Sequence, residues 1–236
     1  MLFAELASVT TAVAATSKRN DKVALLAACL RRLTADEIEP AAAFLVGTTP
    51  MGRIGVGWAT LANVRASPAE HASLTVLEVD RAFRSIEAMH GDGVNAAIHA
   101  ALERLLAAAT SDEQTLVRGI LSGELRPGAL AGVLTTAVAK AADVPVAAVR
   151  RGAMMAGDRG VAAHAALTGG RAALAAIDLQ PLRPGQPMLA SPAADVADAM
   201  SAVVGDDGDS AAAQVDWKLD GARVQAHRLG GDVRLF

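Results

Sequence analysis

The chain reads as mainly α: a long series of helices, followed near its end by the first antiparallel strands of a second domain. Three observations predict this. Hydrophobic residues make up 52% of the 236 positions, while aromatics supply only 3% and tyrosine none. Alanine, leucine and valine must therefore fill the core, which suits closely packed helices. From about residue 2 to 179, apolar residues recur at helical spacing between short breaks marked by glycine or proline. Late in the chain the spacing changes to the alternation of a half-buried strand.

Element by element, the helices announce themselves by caps and faces. Asn20 or Asp21 is placed to cap a helix whose Val23, Leu26, Leu30 and Leu33 form one face. Thr34-x-x-Glu37 reads as a capping box opening a helix that ends near Gly47. A long helix is predicted from about Thr75 to Met89, with Leu77, Phe83 and Ile86 among its apolar positions, and another from about Val94 to Ala108. Ser111-x-x-Gln114 reads as a second capping box, for a helix ending before Gly123. Further helices are expected over 129–142, 145–156, 158–167 and 170–177.

These helices form a predicted first domain, residues 1–179. Residues 180–192 read as a linker, because Pro181, Pro184 and Pro187 are incompatible with a helix interior. The second domain opens at 193, with a short helix over 193–204 and a polar loop from Gly205 to Ser210. The acidic residues Asp206, Asp207 and Asp209 in that loop read as a solvated turn, since no downstream glutamate completes a calcium-loop spacing.

Composition excludes several classes. The single cysteine, Cys29, lies in an apolar helical run and reads as a small core residue in a reducing compartment; a cytoplasmic location is expected. The five histidines have no zinc-like spacing. No uncharged apolar stretch is long enough to span a membrane, and the start of the chain lacks the basic region of a signal peptide. Up to Gln180 the chain holds 17 basic and 17 acidic side chains, so any nucleic-acid contact must come from placed arginines and not from a basic coat.

Two such arginines occur in a weak internal repeat. Arg53-Ile54-Gly55 and Arg126-Pro127-Gly128 both follow a helix that ends at or near glycine, and both lead into a helix start, at a separation of 73 residues. A turn that presents an arginine together with backbone amides suits phosphate oxygens. The same short pattern also occurs as plain loop-to-helix punctuation. Pro127 removes one backbone donor from the second turn.

The sharpest motif lies near the end: Lys218-Leu219-Asp220-Gly221-Ala222-Arg223. Val215, Trp217 and Leu219 alternate with polar residues, so a strand is expected ahead of the Asp220-Gly221 turn. Arg223 to Arg228 is again extended in character. Gly230-Gly231-Asp232 supplies a hairpin turn before Val233-Arg234-Leu235-Phe236. A lysine amine is a nucleophile only when neutral, a form favoured by burial and neighbouring cations. An ordinary hairpin with a surface lysine has the same strand pattern.

K-x-D-G-x-R resembles the nucleotide-binding motif of the covalent nucleotidyltransferases, which include ATP-dependent DNA ligases, RNA ligases and capping enzymes. Three other stretches narrow the resemblance. Ser17 to Leu61 and Leu116 to Ala166, the latter including Asp158-Arg159-Gly160-Val161-Ala162-Ala163, are similar to the helical DNA-binding domain of archaeal and bacterial ATP-dependent DNA ligases. Pro187-Met188-Leu189-Ala190 resembles the element that enters their adenylation domain.

The resemblance implies an ATP-grasp-like adenylation domain after the linker, ATP and magnesium as cofactors, and nicked duplex DNA held mainly through phosphates by a monomer that lies on no membrane. It implies that Lys218 is the catalytic nucleophile that carries AMP. Asp216, where the family usually has glutamate, and Arg223 bind the nucleotide with it. Arg53, Gly55, Arg126 and Gly128 contact DNA. Only thirteen residues follow Arg223, so nick sealing is not expected of residues 1–236 alone. Two alternatives stay open at this point: an RNA ligase or capping-type enzyme, and a non-catalytic helical module.

Overall fold

The computed structural model describes residues 1–123, 125, 127–186, 192–204, 213–217, 221–222 and 224–236. Eleven helices appear among them: α1 Phe3–Ala15, α2 Arg19–Leu30, α3 Ala35–Leu45, α4 Trp58–Asn63, α5 Val76–Glu87, α6 Val94–Ala108, α7 Ser111–Ser122, α8 Pro127–Ala142, α9 Val146–Ala156, α10 Arg159–Ala175 and α11 Val196–Val204. Strands β1 (Ala226–Leu229) and β2 (Asp232–Leu235) form an antiparallel hairpin in which Ala226 pairs with Leu235 and Leu229 with Asp232. The mainly α class with a late antiparallel sheet is thus the observed one.

With so few aromatic side chains, three of the four phenylalanines are concentrated at one point. Phe44 of α3 meets Phe3 of α1 and Phe83 of α5 edge-on, with ring centres 5.9 and 5.6 Å apart. Edge-to-face pairs of this kind add to the burial energy of the rings. Elsewhere small residues let helices approach. Gly152 of α9 lies under Leu174 and Ile177, where even a methyl group would sit 2.9 Å from Leu174, and Gly160 of α10 lies against the Glu39 backbone of α3. The principal helix pairs are α9 with α10, α2 with α8 and α3 with α10.

Capping largely follows the sequence, with two shifts. The Thr34–Glu37 box is present: the Thr34 amide donates to Glu37 Oε2 at 3.0 Å. The box predicted at Ser111–Gln114 is instead Thr110–Glu113, whose carboxylate accepts from the Thr110 amide (2.8 Å) and hydroxyl (2.9 Å). Thr110 has the extended backbone that a cap needs, whereas Ser111 is already helical. Gln114 turns inward to donate to the Leu106 and Ala66 carbonyls. Likewise α2 begins at Arg19, so Asn20 and Asp21 lie inside its first turn and Lys18 is the cap residue. The predicted helices 158–167 and 170–177 run together as α10, broken at Gly170.

The N-terminus is tied down twice. Val76 donates to the Met1 carbonyl and Phe3 to that of Leu74. The Met1 ammonium forms a buried ion pair with Glu37. Burial alone would raise the Glu37 carboxyl. The ammonium and the Thr34 hydrogen bonds outweigh it, and the group is held below the usual glutamate value. Burial pushes the Cys29 thiol up to about 11, as befits a core residue.

The strand expected over Val215–Leu219 is not found in its described part. Val215 and Trp217 are 90% and 89% exposed, without a pairing strand among the described residues. Alternation predicts a strand only where a second strand and a surface to bury against are at hand.

Candidate nucleic-acid interface

One end of the helical domain is organised around the loop that joins α3 to α4. α3 closes at Gly47, whose φ of 76° places it in the left-handed region. Beyond it the buried Thr49 holds a tight turn: its hydroxyl donates to the Gly52 carbonyl at 2.7 Å, and the Gly52 amide returns to the Thr49 carbonyl at 3.0 Å. Ile54 is buried and anchors the loop, which leaves its neighbours Arg53 and Gly55 exposed. The short helix α4 follows. Arg118 of α7 ties down its far end by donating to the carbonyls of Leu61 (2.8 Å) and Val64 (2.9 Å).

The segment that follows α7 reaches this loop through Leu125. α7 ends at Gly123, and Leu125 then inserts between Gly47 and Gly119. Cβ atoms built at those glycines would stand 2.5 and 2.9 Å from the leucine side chain. The loop after α3 and the end of α7, which precede the two halves of the repeat in sequence, are therefore held together by one leucine in a notch of two glycines. The cleft they enclose, about 590 Å³, is lined by Arg53, Gly55 and Trp58 from one side and by Ile120–Gly123 from the other. Arg126 lies outside the described residues, and Gly128 is in the first turn of α8.

A third turn joins them that the repeat did not include. Gly157-Asp158-Arg159-Gly160 connects α9 to α10, and Asp158 caps α10 by accepting from the amides of Gly160 (2.6 Å) and Val161 (3.3 Å). A smaller cleft of about 260 Å³ separates this turn from Thr48, Thr49 and Gly52. Arg159 is exposed there. Neither it nor Arg53 is in an ion pair among the described residues. The sequence signal for this turn was a helix-ending glycine followed by an arginine–glycine pair. In sequence the run Asp158–Ala163 stands out only as part of the resemblance to the helical ligase domain.

The linker is part of the same end. Gln186 donates from its amide to the Met154 carbonyl (3.0 Å) and from its side chain to that of Gly157 (3.3 Å). Gln225, just before β1, brackets Gly185: its side-chain oxygen accepts from the Gly185 amide (3.1 Å) and its nitrogen donates to the Gly185 carbonyl (2.7 Å). The hairpin is thus fastened to the linker, and the linker to α9.

The nucleotide motif is a different matter. Lys218, Leu219, Asp220 and Arg223 lie outside the described residues. Asp216 is exposed, and its carboxylate accepts from the Trp217 amide at 2.8 Å. No group of three metal-ligating side chains occurs among the described residues. No single helix among them is long and apolar enough to cross a membrane. The bent pair Leu130–Ala142 and Val146–Ala156 passes by composition alone, and Val133, Leu134, Ala137 and Val138 of its first helix lie in the core.

Against known proteins, residues 59–139 match the family model described as "DNA ligase N terminus". A probable DNA ligase of Anaeromyxobacter dehalogenans (strain 2CP-C) is 50% identical over 239 residues, covering 100% of this chain and 45% of the relative. One of Rhodococcus opacus (strain B4) is 44% identical over 236 residues, covering 100% and 46%. One of Pseudarthrobacter chlorophenolicus is 46% identical over 236 residues, covering 100% and 45%. The chain spans about half the length of the curated relatives it matches. Along its whole length the chain is thus similar to part of these probable DNA ligases, and residues 59–139 match the model of the ligase N terminus.

Proposed function

We propose that this chain is the DNA-holding part, together with the start of the nucleotide-binding part, of an ATP-dependent DNA ligase that seals nicks in duplex DNA. The observation that carries the reading is the cleft at the α3–α4 loop. There an exposed arginine, exposed glycine backbone and the end of α7 converge in a chain with no overall basic charge. Such an end grips phosphates without reading sequence. It suits an enzyme that must act at any nick. The nicked state of the duplex, a monomeric protein and a cytoplasmic location belong to the same proposal.

The chemistry rests on K-x-D-G-x-R. The Lys218 amine attacks the α-phosphorus of ATP, and the bond to pyrophosphate breaks. AMP passes from lysine to the 5′-phosphate at the nick, and the 3′-hydroxyl then displaces AMP and joins the strands. Arg223 and Asp216 hold the nucleotide. The magnesium that such transfers use has no ligand set among the described residues, so no step is assigned to it. The test is incubation with α-labelled ATP of a chain extended to the length of its relatives. Label should stay with the protein on a denaturing gel and be lost in Lys218→Ala; label that persists in that variant refutes the assignment.

A further inference from the structure

Among the described residues before Leu179, large apolar side chains are packed away with two exceptions. One is Leu2, 40% exposed, which makes a β-bridge with Thr75. The other is Trp58, 67% exposed. α4 does not need the indole for its own anchorage. Leu61 is buried, and Arg118 holds the carbonyls of Leu61 and Val64. Yet the one large aromatic ring that the helical part leaves in water is placed in the cleft with Arg53 and Gly55. No carboxylate lines that cleft among the described residues. Its partner is therefore one that offers negative charge and a flat apolar surface side by side.

We propose that Trp58 is a DNA-contacting residue: while Arg53 holds a backbone phosphate, the indole lies against the deoxyribose and base edges lining the groove beside it. The proposal rests on the duplex-binding reading given above and adds to it a residue with a different physical role. Arginine contacts are electrostatic and release counterions, so they weaken steeply with salt. An aromatic contact on sugar or base is apolar and nearly indifferent to salt. It is also indifferent to sequence, because every nucleotide presents a sugar. A cleft that combines the two holds its duplex at ionic strengths where one or two arginines alone would let go.

The experiment uses the whole chain and a fluorescein-labelled 20-base-pair duplex, titrated by anisotropy at several salt concentrations. Trp58→Ala is expected to bind about tenfold more weakly at every salt concentration, with the salt slope unchanged. Arg53→Ala is expected to lower the slope by about one. Trp58→Phe should recover most of the lost affinity. In a Trp217→Phe background, where Trp58 is the sole tryptophan, acrylamide should quench its fluorescence freely without DNA and poorly with it. This arm keeps residue 58 intact and decides the matter even if Trp58→Ala alters folding. Affinity of Trp58→Ala within twofold of the parent, a slope change equal to that of Arg53→Ala, or unchanged quenching with bound duplex each overturn the proposal and leave duplex binding standing. If the unsubstituted chain binds no duplex at all, the underlying reading fails and the proposal falls with it.

Discussion

Replacing Gly47 by alanine should cost more stability than replacing Gly55, and the difference measures the lock between the two turns. The two glycines have the same backbone demand, with φ of 76° and 75°. An L-residue in that left-handed region costs roughly 1–2 kcal/mol at either position. Their surroundings differ. A Cβ at Gly55 meets nothing within 4 Å, while one at Gly47 lies 2.5 Å from the Leu125 Cβ. That atom is fixed to the backbone and cannot rotate away, so the turn after α7 must shift, an overpacking cost of about 1–3 kcal/mol. For a domain of this size the surplus corresponds to a melting temperature roughly 2–12 °C below that of Gly55→Ala. Urea and thermal unfolding followed by circular dichroism read both. In a Leu125→Gly background, which removes the offending atom, the two alanine variants should cost the same; a double-mutant cycle isolates that coupling. Equal costs in the parent background would refute the claim that Leu125 in its glycine notch holds the two turns together.

Three further outcomes follow from other contacts. Glu37→Gln leaves the buried Met1 ammonium without its counter-charge and should lose on the order of 3 kcal/mol at neutral pH. Because the folded Glu37 titrates below its usual value, the stability it supplies is present above about pH 4.5 and fades as the pH falls through its lower folded value. The variant's acid limb should accordingly be flatter, and urea midpoints measured from pH 7 to pH 3 check this. Cys29, with its thiol pushed up to about 11 by burial, should resist a thiol reagent at pH 8 in the native chain and react with one equivalent after denaturation. Gly157 has φ of 67°, and a Cβ there would stand 2.1 Å from the Pro184 carbonyl oxygen. Gly157→Ala should therefore release the linker, and the Gln186 amide, which donates to the Met154 carbonyl, should exchange with solvent several times faster than in the parent. Unchanged exchange would mean that the linker is not held at α9.

The helices were legible because their signals are local. Apolar spacing and glycine stops placed most of them within a few residues, and the Thr34–Glu37 box was read directly from the sequence. The Thr110–Glu113 box was missed by one position because Thr110 and Ser111 are both good caps, and only the backbone conformation decides between them. At the site, the sequence identified the two R-x-G turns but not their contact. Leu125 is an ordinary apolar residue in the pattern, and its partners Gly47 and Gly119 are distant in sequence. The Asp158 turn was known only as a resemblance, and its place beside Thr48 and Thr49 depends on the packing of α3 against α10. Trp58 reads as the start of a helix and gives no local sign that its ring stays in water. Conversely, the alternation at Val215–Trp217 was a true local signal without a partner strand among the described residues.

The central claim is that one end of the helical part, built from the α3–α4 loop and the turn between α7 and α8, takes the duplex. Amide hydrogen exchange with and without a nicked duplex tests it most directly. Protection is predicted over residues 47–58 and 119–132, with α5 and α6 unchanged. Protection confined to α5 and α6, or no protection at a concentration where anisotropy shows the duplex bound, would contradict it.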